Sequence, residues 1–225
     1  MLGVLHAFAE IVSPVCCAGC GLPGSALCAR CRAGARLITQ GDACPRCGAA
    51  VEASTCTECG GRDFAFSAAA CAGRLEPPLS RAITLYKDAA ERRYASLLGS
   101  LLLDACERWR GWPDAVCAIP PTRAARVRRG FDHTEALAHA VAAGLKVPSA
   151  GLLDAARRPD QRRLGRDARF ANMAEAFTVR RDAQVPGHVL VVDDVLTTGA
   201  TFDGAARALL AAGAIEVRVA AVARA

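Results

Sequence analysis

Two adjacent carboxylates, Asp193 and Asp194, follow the apolar residues Val189-Leu190-Val191-Val192 and precede Val195-Leu196-Thr197-Thr198-Gly199-Ala200-Thr201. The apolar run is mostly β-branched, which predicts a buried strand that ends at the acids. A helix-like run from Phe202 to Ala212 comes next. A strand that turns through Thr and Gly into a helix start can hold a phosphate. Free backbone N–H groups and the positive end of the helix dipole supply the attraction. The hydroxyls of Thr197, Thr198 and Thr201 add donors, and Gly199 permits close backbone approach and dihedrals that other residues avoid. The two acids then stand where the hydroxyls of a sugar would lie if its phosphate sat in the loop. This is a phosphosugar site in outline, although a buried strand with an ordinary helix cap would account for either half of the string alone.

A second chemistry is written in cysteine. Of twelve cysteines, eight fall into the pairs Cys17-x2-Cys20, Cys28-x2-Cys31, Cys44-x2-Cys47 and Cys56-x2-Cys59. A C-x2-C turn presents two thiolates on one side of a tight knuckle, and two knuckles complete a tetrahedral zinc site. Gly and Pro suited to such turns are present at Gly19, Gly21, Pro45, Gly48, Gly60 and Gly61. Two structural zinc ions are expected. Sequential pairing would join Cys17, Cys20, Cys28 and Cys31, and then Cys44, Cys47, Cys56 and Cys59; the spacing also permits interleaved pairing. Disulfides are the structural alternative, disfavoured without an export signal, and redox catalysis does not need four copies of the motif. The segment holds few large apolar residues, so metal should supply its folding free energy. Closed four-cysteine sites suggest no catalysis. Cys16 adjoins the first pair and is placed to substitute for Cys17, whereas Cys71, Cys106 and Cys117 lie in apolar runs and read as core.

The elements that must position these groups divide the chain at residues 63 and 64. Residues 1–63 form an N-terminal helix and the metal segment, and residues 64–225 an α/β domain. Phe64 to Ala72 reads as a strand, broken by Pro77-Pro78, and Leu79 to Lys87 as a short helix. Glu91 to Trp109 reads as a longer helix with Tyr94, Leu97, Leu98, Leu101 and Ala105 on one stripe, ended by Gly111 and Pro113. Ala115 to Ile119 is expected as a strand, followed by an Arg-rich loop carrying Arg123, Arg126, Arg128, Arg129 and Gly130. Asp132 and Glu135 have capping-box spacing before a helix over Thr134 to Ala143. Ala150 to Asp154 and Ala176 to Val179 read as short strands, and Glu216 to Val222 as the strand that closes the sheet. Arg157 to Ala171 is polar, Arg-rich and too long for an ordinary connection. Strands alternating with helices imply a mostly parallel sheet with ligands at the strands' C-terminal ends.

The 225 residues are 52% hydrophobic and 22% charged, ample for a core. The net charge of +6 comes almost wholly from Arg, which suits diphosphate binding by bidentate forks and also permits nucleic-acid binding. Met1 to Val12 lacks a basic start and contains Glu10, so it reads as a short amphipathic helix with Leu5, Phe8 and Val12 on one face. No apolar run reaches the length of a membrane span. A cytoplasmic protein with reduced cysteines is expected.

The string around Asp193 and Asp194 resembles the phosphoribosyl-diphosphate (PRPP) signature of the type I phosphoribosyltransferases. Cysteine knuckles, an Arg-Gly-Phe segment and that string, in this order, resemble the ComF family. These are phosphoribosyltransferase-like proteins with an N-terminal zinc domain, associated with bacterial DNA uptake. Supporting pieces are Leu85-Tyr86-Lys87, Ile119-Pro120-Pro121, Arg128-Arg129-Gly130-Phe131, Gln161, Arg169, Asn172 and Phe177. The family is usually Gly-Phe-Asn-Gln where this chain has Gly130-Phe131-Asp132-His133. The resemblance implies a type I phosphoribosyltransferase fold and PRPP bound with Mg²⁺. Asp193 and Asp194 would hold the ribose hydroxyls, and Val195, Thr197, Thr198, Gly199, Ala200 and Thr201 the 5′-phosphate. Arg128 and Arg129 would lie in the diphosphate loop, and Arg157 to Asn172 would take the place of a closing catalytic loop. In that reaction class diphosphate leaves C1 of the ribose and a nitrogen nucleophile replaces it. Lys87 could reach the site or merely end its helix, and His133 and His139 read as capping and surface residues. Three functions compete: a phosphoribosyl-transferring enzyme, a PRPP or nucleotide sensor without turnover, and an interaction module for single-stranded DNA transport with the strand or a DNA-uptake helicase as partner. Aromatic residues are only 5% of the chain, which argues against base stacking but not against phosphate contact.

Overall fold

A computed structural model describes residues 14–51, 56–60, 62–155 and 176–225. The expected N-terminal amphipathic helix and the Arg157 to Asn172 segment, with Gln161 and Arg169, lie outside these residues. Four parallel strands form the central sheet in the order β1-β6-β5-β2: Ala68–Arg74 (β1), Ala115–Ala118 (β2), His188–Leu196 (β5) and Glu216–Arg224 (β6). Leu153–Ala155 (β3) and Phe177–Val179 (β4) form a separate antiparallel pair. The helices are Ala29–Ala33 (α1), Leu79–Lys87 (α2), Ala95–Cys106 (α3), Arg123–Arg129 (α4), His133–Leu145 (α5) and Ala200–Ala211 (α6).

β5 and β6 are the inner strands, and their residues show why. Val189, Leu190, Val191 and Val192 are all fully buried, as are Val219 to Ala223. Burying one such Val or Leu side chain is worth about 1.5–3 kcal/mol. Continuous apolar runs of this kind belong between layers covered on both faces. On one face Leu190, Val192, Ala220 and Val222 pack with Tyr86 of α2, Leu98, Leu101 and Leu102 of α3, and Leu137 and Val141 of α5. On the other, Val189, Val191, Val219 and Ala221 pack with Phe202, Ala205 and Leu209 of α6 and with Phe177 of β4.

Several sequence expectations shift. β6 does not close the sheet; its fully buried apolar run places it inside, between β5 and β1, and β1 takes the edge. β5 does not stop at the acids: it runs on to Leu196, with Asp193 opposite Ala221 and Val195 opposite Ala223. The Arg-rich stretch is a helix rather than a loop. Thr122 Oγ1 accepts from Ala125 N at its start, and Gly130 ends it in the left-handed conformation (φ 70°). The helix expected over Glu91 to Trp109 holds, but its ends tighten into 3₁₀ turns at Arg92–Tyr94 and Glu107–Trp109.

The cysteine segment lies along β1. Ile38 N donates to Ala72 O (3.0 Å), Arg74 N to Arg36 O (2.8 Å) and Ala69 N to Pro45 O (2.9 Å). It thereby caps a strand edge that would otherwise present unpaired backbone groups. Among the described residues no helix is long and apolar enough to cross a membrane.

Candidate functional site

The connections leaving β2 and β5 part company at the C-terminal edge of the sheet. β2 leads through α4 to α5 on one face, and β5 leads to α6 on the other. Such a divergence opens a crevice between two neighbouring strands, the usual ligand position in open parallel sheets. Asp193 and Asp194 stand at this crevice on β5.

α5 starts beside them because its first turn is tied to β2. Asp132 caps the helix, with Oδ1 accepting from Glu135 N (3.1 Å), and Thr134 Oγ1 donates to Ile119 O (2.7 Å). This capping was legible in the sequence. Its consequence was not: His133, the first helical residue, is only 4% exposed and turns inward, so it is not a surface residue. Its Nε2 lies 3.4 Å from Asp194 Oδ2, and Arg129 Nη1 approaches its Nδ1 at 3.3 Å. Arg129 Nη1 also lies 3.5 Å from Nε2, and since a guanidinium can only donate, the ring nitrogen it meets accepts. Tyr86 O–H donates to His133 O (2.9 Å). Burial pushes the Tyr86 phenol up to about 12, so it keeps the proton it donates. His139 is exposed, with its Nδ1 on Glu135 O.

Lys87 both ends α2 and reaches the site: its Nζ lies 2.8 Å from Asp194 Oδ2. Burial alone would raise the Asp194 carboxyl, but His133 at 3.4 Å and the Lys87 ammonium more than offset it and hold it down at about 2. Asp193 moves the other way. Burial, and then the charge of Asp194, push it well above the usual carboxylate range, while the Asp194 N–H that its Oδ1 accepts (2.8 Å) opposes the rise. Two adjacent carboxyl groups with opposite shifts offer their oxygens to a vicinal diol. Asp194 is 4% exposed and Asp193 is half-buried.

Thr197, Thr198 and Gly199 form the bend after β5. Thr197 is exposed, and Thr198 Oγ1 accepts from Ala200 N (3.4 Å). Gly199 caps α6 with φ 85°, which L side chains rarely adopt. The close neighbour at Gly199 is protein: a Cβ there would stand 2.8 Å from Phe64 Cε1. Val195 and Thr201 are half-buried and Ala200 buried. Of the two arginines, Arg129 is the inward one, with 9% of its side chain exposed and Nη2 3.5 Å from Asp88 Oδ1. Arg128 is exposed on α4. Asp203, which the sequence did not single out, is buried on the first turn of α6; its Oδ1 accepts from Ala65 N (2.6 Å) and its Oδ2 from Arg207 Nε (2.8 Å).

The cysteines pair sequentially. Cys17, Cys20, Cys28 and Cys31 converge, as do Cys44, Cys47, Cys56 and Cys59, with ligand atoms within 4.8 Å of one another in each group. Sulfur separations of 3.9 Å (Cys20–Cys28), 4.0 Å (Cys44–Cys59) and 3.6 Å (Cys47–Cys56) bracket the edge of about 3.8 Å of a tetrahedron with Zn–S of 2.3 Å. Gly19 N and Cys28 N donate to Cys17 Sγ (3.4 and 3.3 Å). Such backbone amides overcome burial and bring the Cys17 thiol down to about 6, and in the second cluster they and Cys47 bring Cys56 to about 7. The hydrogen bond from Cys28 instead pushes Cys31 up to about 12. Both groups can hold a soft divalent metal. His133, Asp193 and Asp194 also lie within 4.8 Å of one another, but Lys87 already supplies a cation there.

Residues 135–225 match the phosphoribosyl transferase domain family. The DNA utilization protein YhgH of Salmonella typhimurium is 30% identical over 186 residues, 78% of this chain and 81% of that protein. That of Escherichia coli O6:H1 is 30% identical over 203 residues, covering 86% and 88%. Among solved structures, orotate phosphoribosyltransferase from Aeropyrum pernix is 21% identical with a TM-score of 0.37 over 59% of each chain. Adenine phosphoribosyltransferase from Trypanosoma brucei, in complex with AMP, pyrophosphate and ribose-5-phosphate, is 17% identical with a TM-score of 0.38, covering 60% of this chain and 54% of that one.

Proposed function

The chain belongs to the ComF family together with the YhgH DNA utilization proteins, and from that premise we propose that it binds PRPP at the crevice between β2 and β5 and acts in the handling of DNA. The observation that carries the reading is the Asp193–Asp194 pair, half-buried and buried in turn, directly before a Thr-Gly turn into the N-terminus of the twelve-residue helix α6. The pair takes the ribose hydroxyls. Thr197, Thr198, Gly199, Ala200 and Thr201, preceded by Val195, take the 5′-phosphate. Lys87 and Arg129 reach the same crevice from α2 and α4, and Arg128 offers an outward charge to the diphosphate.

Mg²⁺ fits as a companion of the ligand. It binds through one or two carboxylates plus substrate phosphates, and Asp193 is the carboxyl without an ammonium on it. Two zinc ions in the four-cysteine clusters serve structure: with four protein thiolates each is closed to substrate. The boundary between residues 63 and 64 separates this metal segment from the phosphoribosyltransferase-like domain. A cytoplasmic location suits eight thiols kept reduced for metal. Equilibrium titration with PRPP in the presence and absence of Mg²⁺ tests the reading: saturable, Mg²⁺-dependent binding supports it, and no binding by zinc-replete protein sinks it.

A further inference from the structure

The second cysteine cluster touches the Thr-Gly loop by two routes. The first runs through the linker between the metal segment and β1. Arg46, inside the Cys44–Cys47 knuckle, donates through Nη2 to Arg62 O (2.5 Å) and pairs with Asp63 (3.1 Å). The next residue, Phe64, packs against Cys44, Cys47, Ala49 and Cys59. Its ring stacks on the buried Phe66 at 4.6 Å and 12° and closes on Gly199, where no Cβ would fit. Ala65 N then donates to Asp203 on the first turn of α6. The second route starts at Glu58, inside the Cys56–Cys59 knuckle. Glu58 lies 3.8 Å from Arg224, whose Nη1 donates to Leu196 O (3.3 Å), the last carbonyl before the loop.

We propose that Phe64 and Arg224 are positioning residues through which the metal-loaded Cys44/Cys47/Cys56/Cys59 cluster fixes the Thr197–Thr201 loop in its anion-binding form. The consequence for ligands rests on the proposed PRPP reading, but the coupling itself does not. The metal is the link between the Cys44–Cys47 and Cys56–Cys59 knuckles, so its loss loosens the footing of Phe64 and Glu58. Thr197 is exposed, and the loop's other bonds are local, Asp203 N to Gly199 O (2.8 Å) and Ala200 N to Thr198 Oγ1 (3.4 Å), so they do not tie it to the metal segment. Metal loss would therefore reach the crevice even though no cysteine lies in it.

The experiment compares wild type, Phe64→Ala, Phe64→Leu and Glu58→Gln, each checked for zinc content. Amide hydrogen exchange of residues 197–201 in ligand-free protein is the primary readout. Faster exchange in Phe64→Ala and Glu58→Gln at unchanged zinc, with recovery in Phe64→Leu, supports the coupling. The same exchange in all four proteins overturns it, as does faster exchange in Phe64→Leu equal to that in Phe64→Ala. Binding is the second readout. Ribose 5-phosphate should bind Phe64→Ala about tenfold more weakly than wild type, a coupling of ordinary size for packed networks. Inorganic diphosphate, which does not need this loop, should be unaffected. Failure of wild type to bind either ligand would count against the PRPP reading alone, since the exchange comparison still decides the coupling.

Discussion

The contact between Lys87 and Asp194 should be worth several kcal/mol, and a double-mutant cycle can measure it. Nζ and Oδ2 are 2.8 Å apart, with 30% and 5% of their side chains exposed. At that distance and an effective dielectric constant of about 20, the gross attraction is about 6 kcal/mol. Desolvation of the carboxylate and ordering of the lysine offset part of it, leaving a coupling energy of about 2–4 kcal/mol. Lys87→Met alone leaves a buried carboxylate with only His133 beside it and should cost about 3–5 kcal/mol. Asp194→Asn alone leaves a half-buried ammonium and should cost less. The double variant should recover most of the loss. The pH dependence follows from the sign of the shift. Asp194 is depressed to about 2 in the fold. Its contribution is therefore complete above the unfolded value near 3.9 and lost as pH falls through the folded one, so the coupling should be equal at about pH 5 and about pH 7. Urea denaturation of the four proteins is the assay. A coupling below about 0.5 kcal/mol with all four folded, a value typical of exposed pairs, would refute the reasoning.

Replacing Gly199 by Val should abolish PRPP binding and lower stability by about 1–3 kcal/mol, because φ 85° and the Phe64 ring both resist a Cβ; thermal unfolding with and without PRPP reads both effects. Elemental analysis should find close to two zinc ions per chain, and their removal should expose the cysteine segment to protease; metal-free protein with that segment still protected would contradict the zinc assignment. Single-stranded DNA should bind weakly, with little sequence preference and a steep loss with salt, since the net charge of +6 supplies counterion release and few rings are available for stacking. Tight binding that survives high salt in a labelled-oligonucleotide titration would point instead to a dedicated strand site.

What could be read in advance was local. The knuckles, the capping pair Asp132 and Glu135, and the Thr-Gly turn into α6 are each set by neighbours in sequence, and each folds as its residue types dictate. What could not be read depends on partners far along the chain. β5 extends past two acids because Asp194 is compensated by Lys87, 107 positions earlier, and by His133, so a charge that looks like a strand end is buried instead. His133 looks like a surface residue until Thr134 is anchored to Ile119 O, which turns the helix start inward. The Arg-rich stretch read as a loop because its charges and the two preceding prolines masked good end signals, Thr122 and Gly130. Phe64 reads as the start of a strand; only the assembled fold places it between the second cysteine cluster and Gly199.

The most direct test of the central claim is calorimetric titration of PRPP with Mg²⁺ into wild type and into Asp193→Asn/Asp194→Asn, at a temperature where both are shown to be folded. The claim predicts saturable binding by wild type and a loss of about a hundredfold or more in the variant. That loss corresponds to two charge-assisted contacts of about 1.5–3 kcal/mol each. Equal affinities in the two folded proteins, or no binding by wild type, would contradict it.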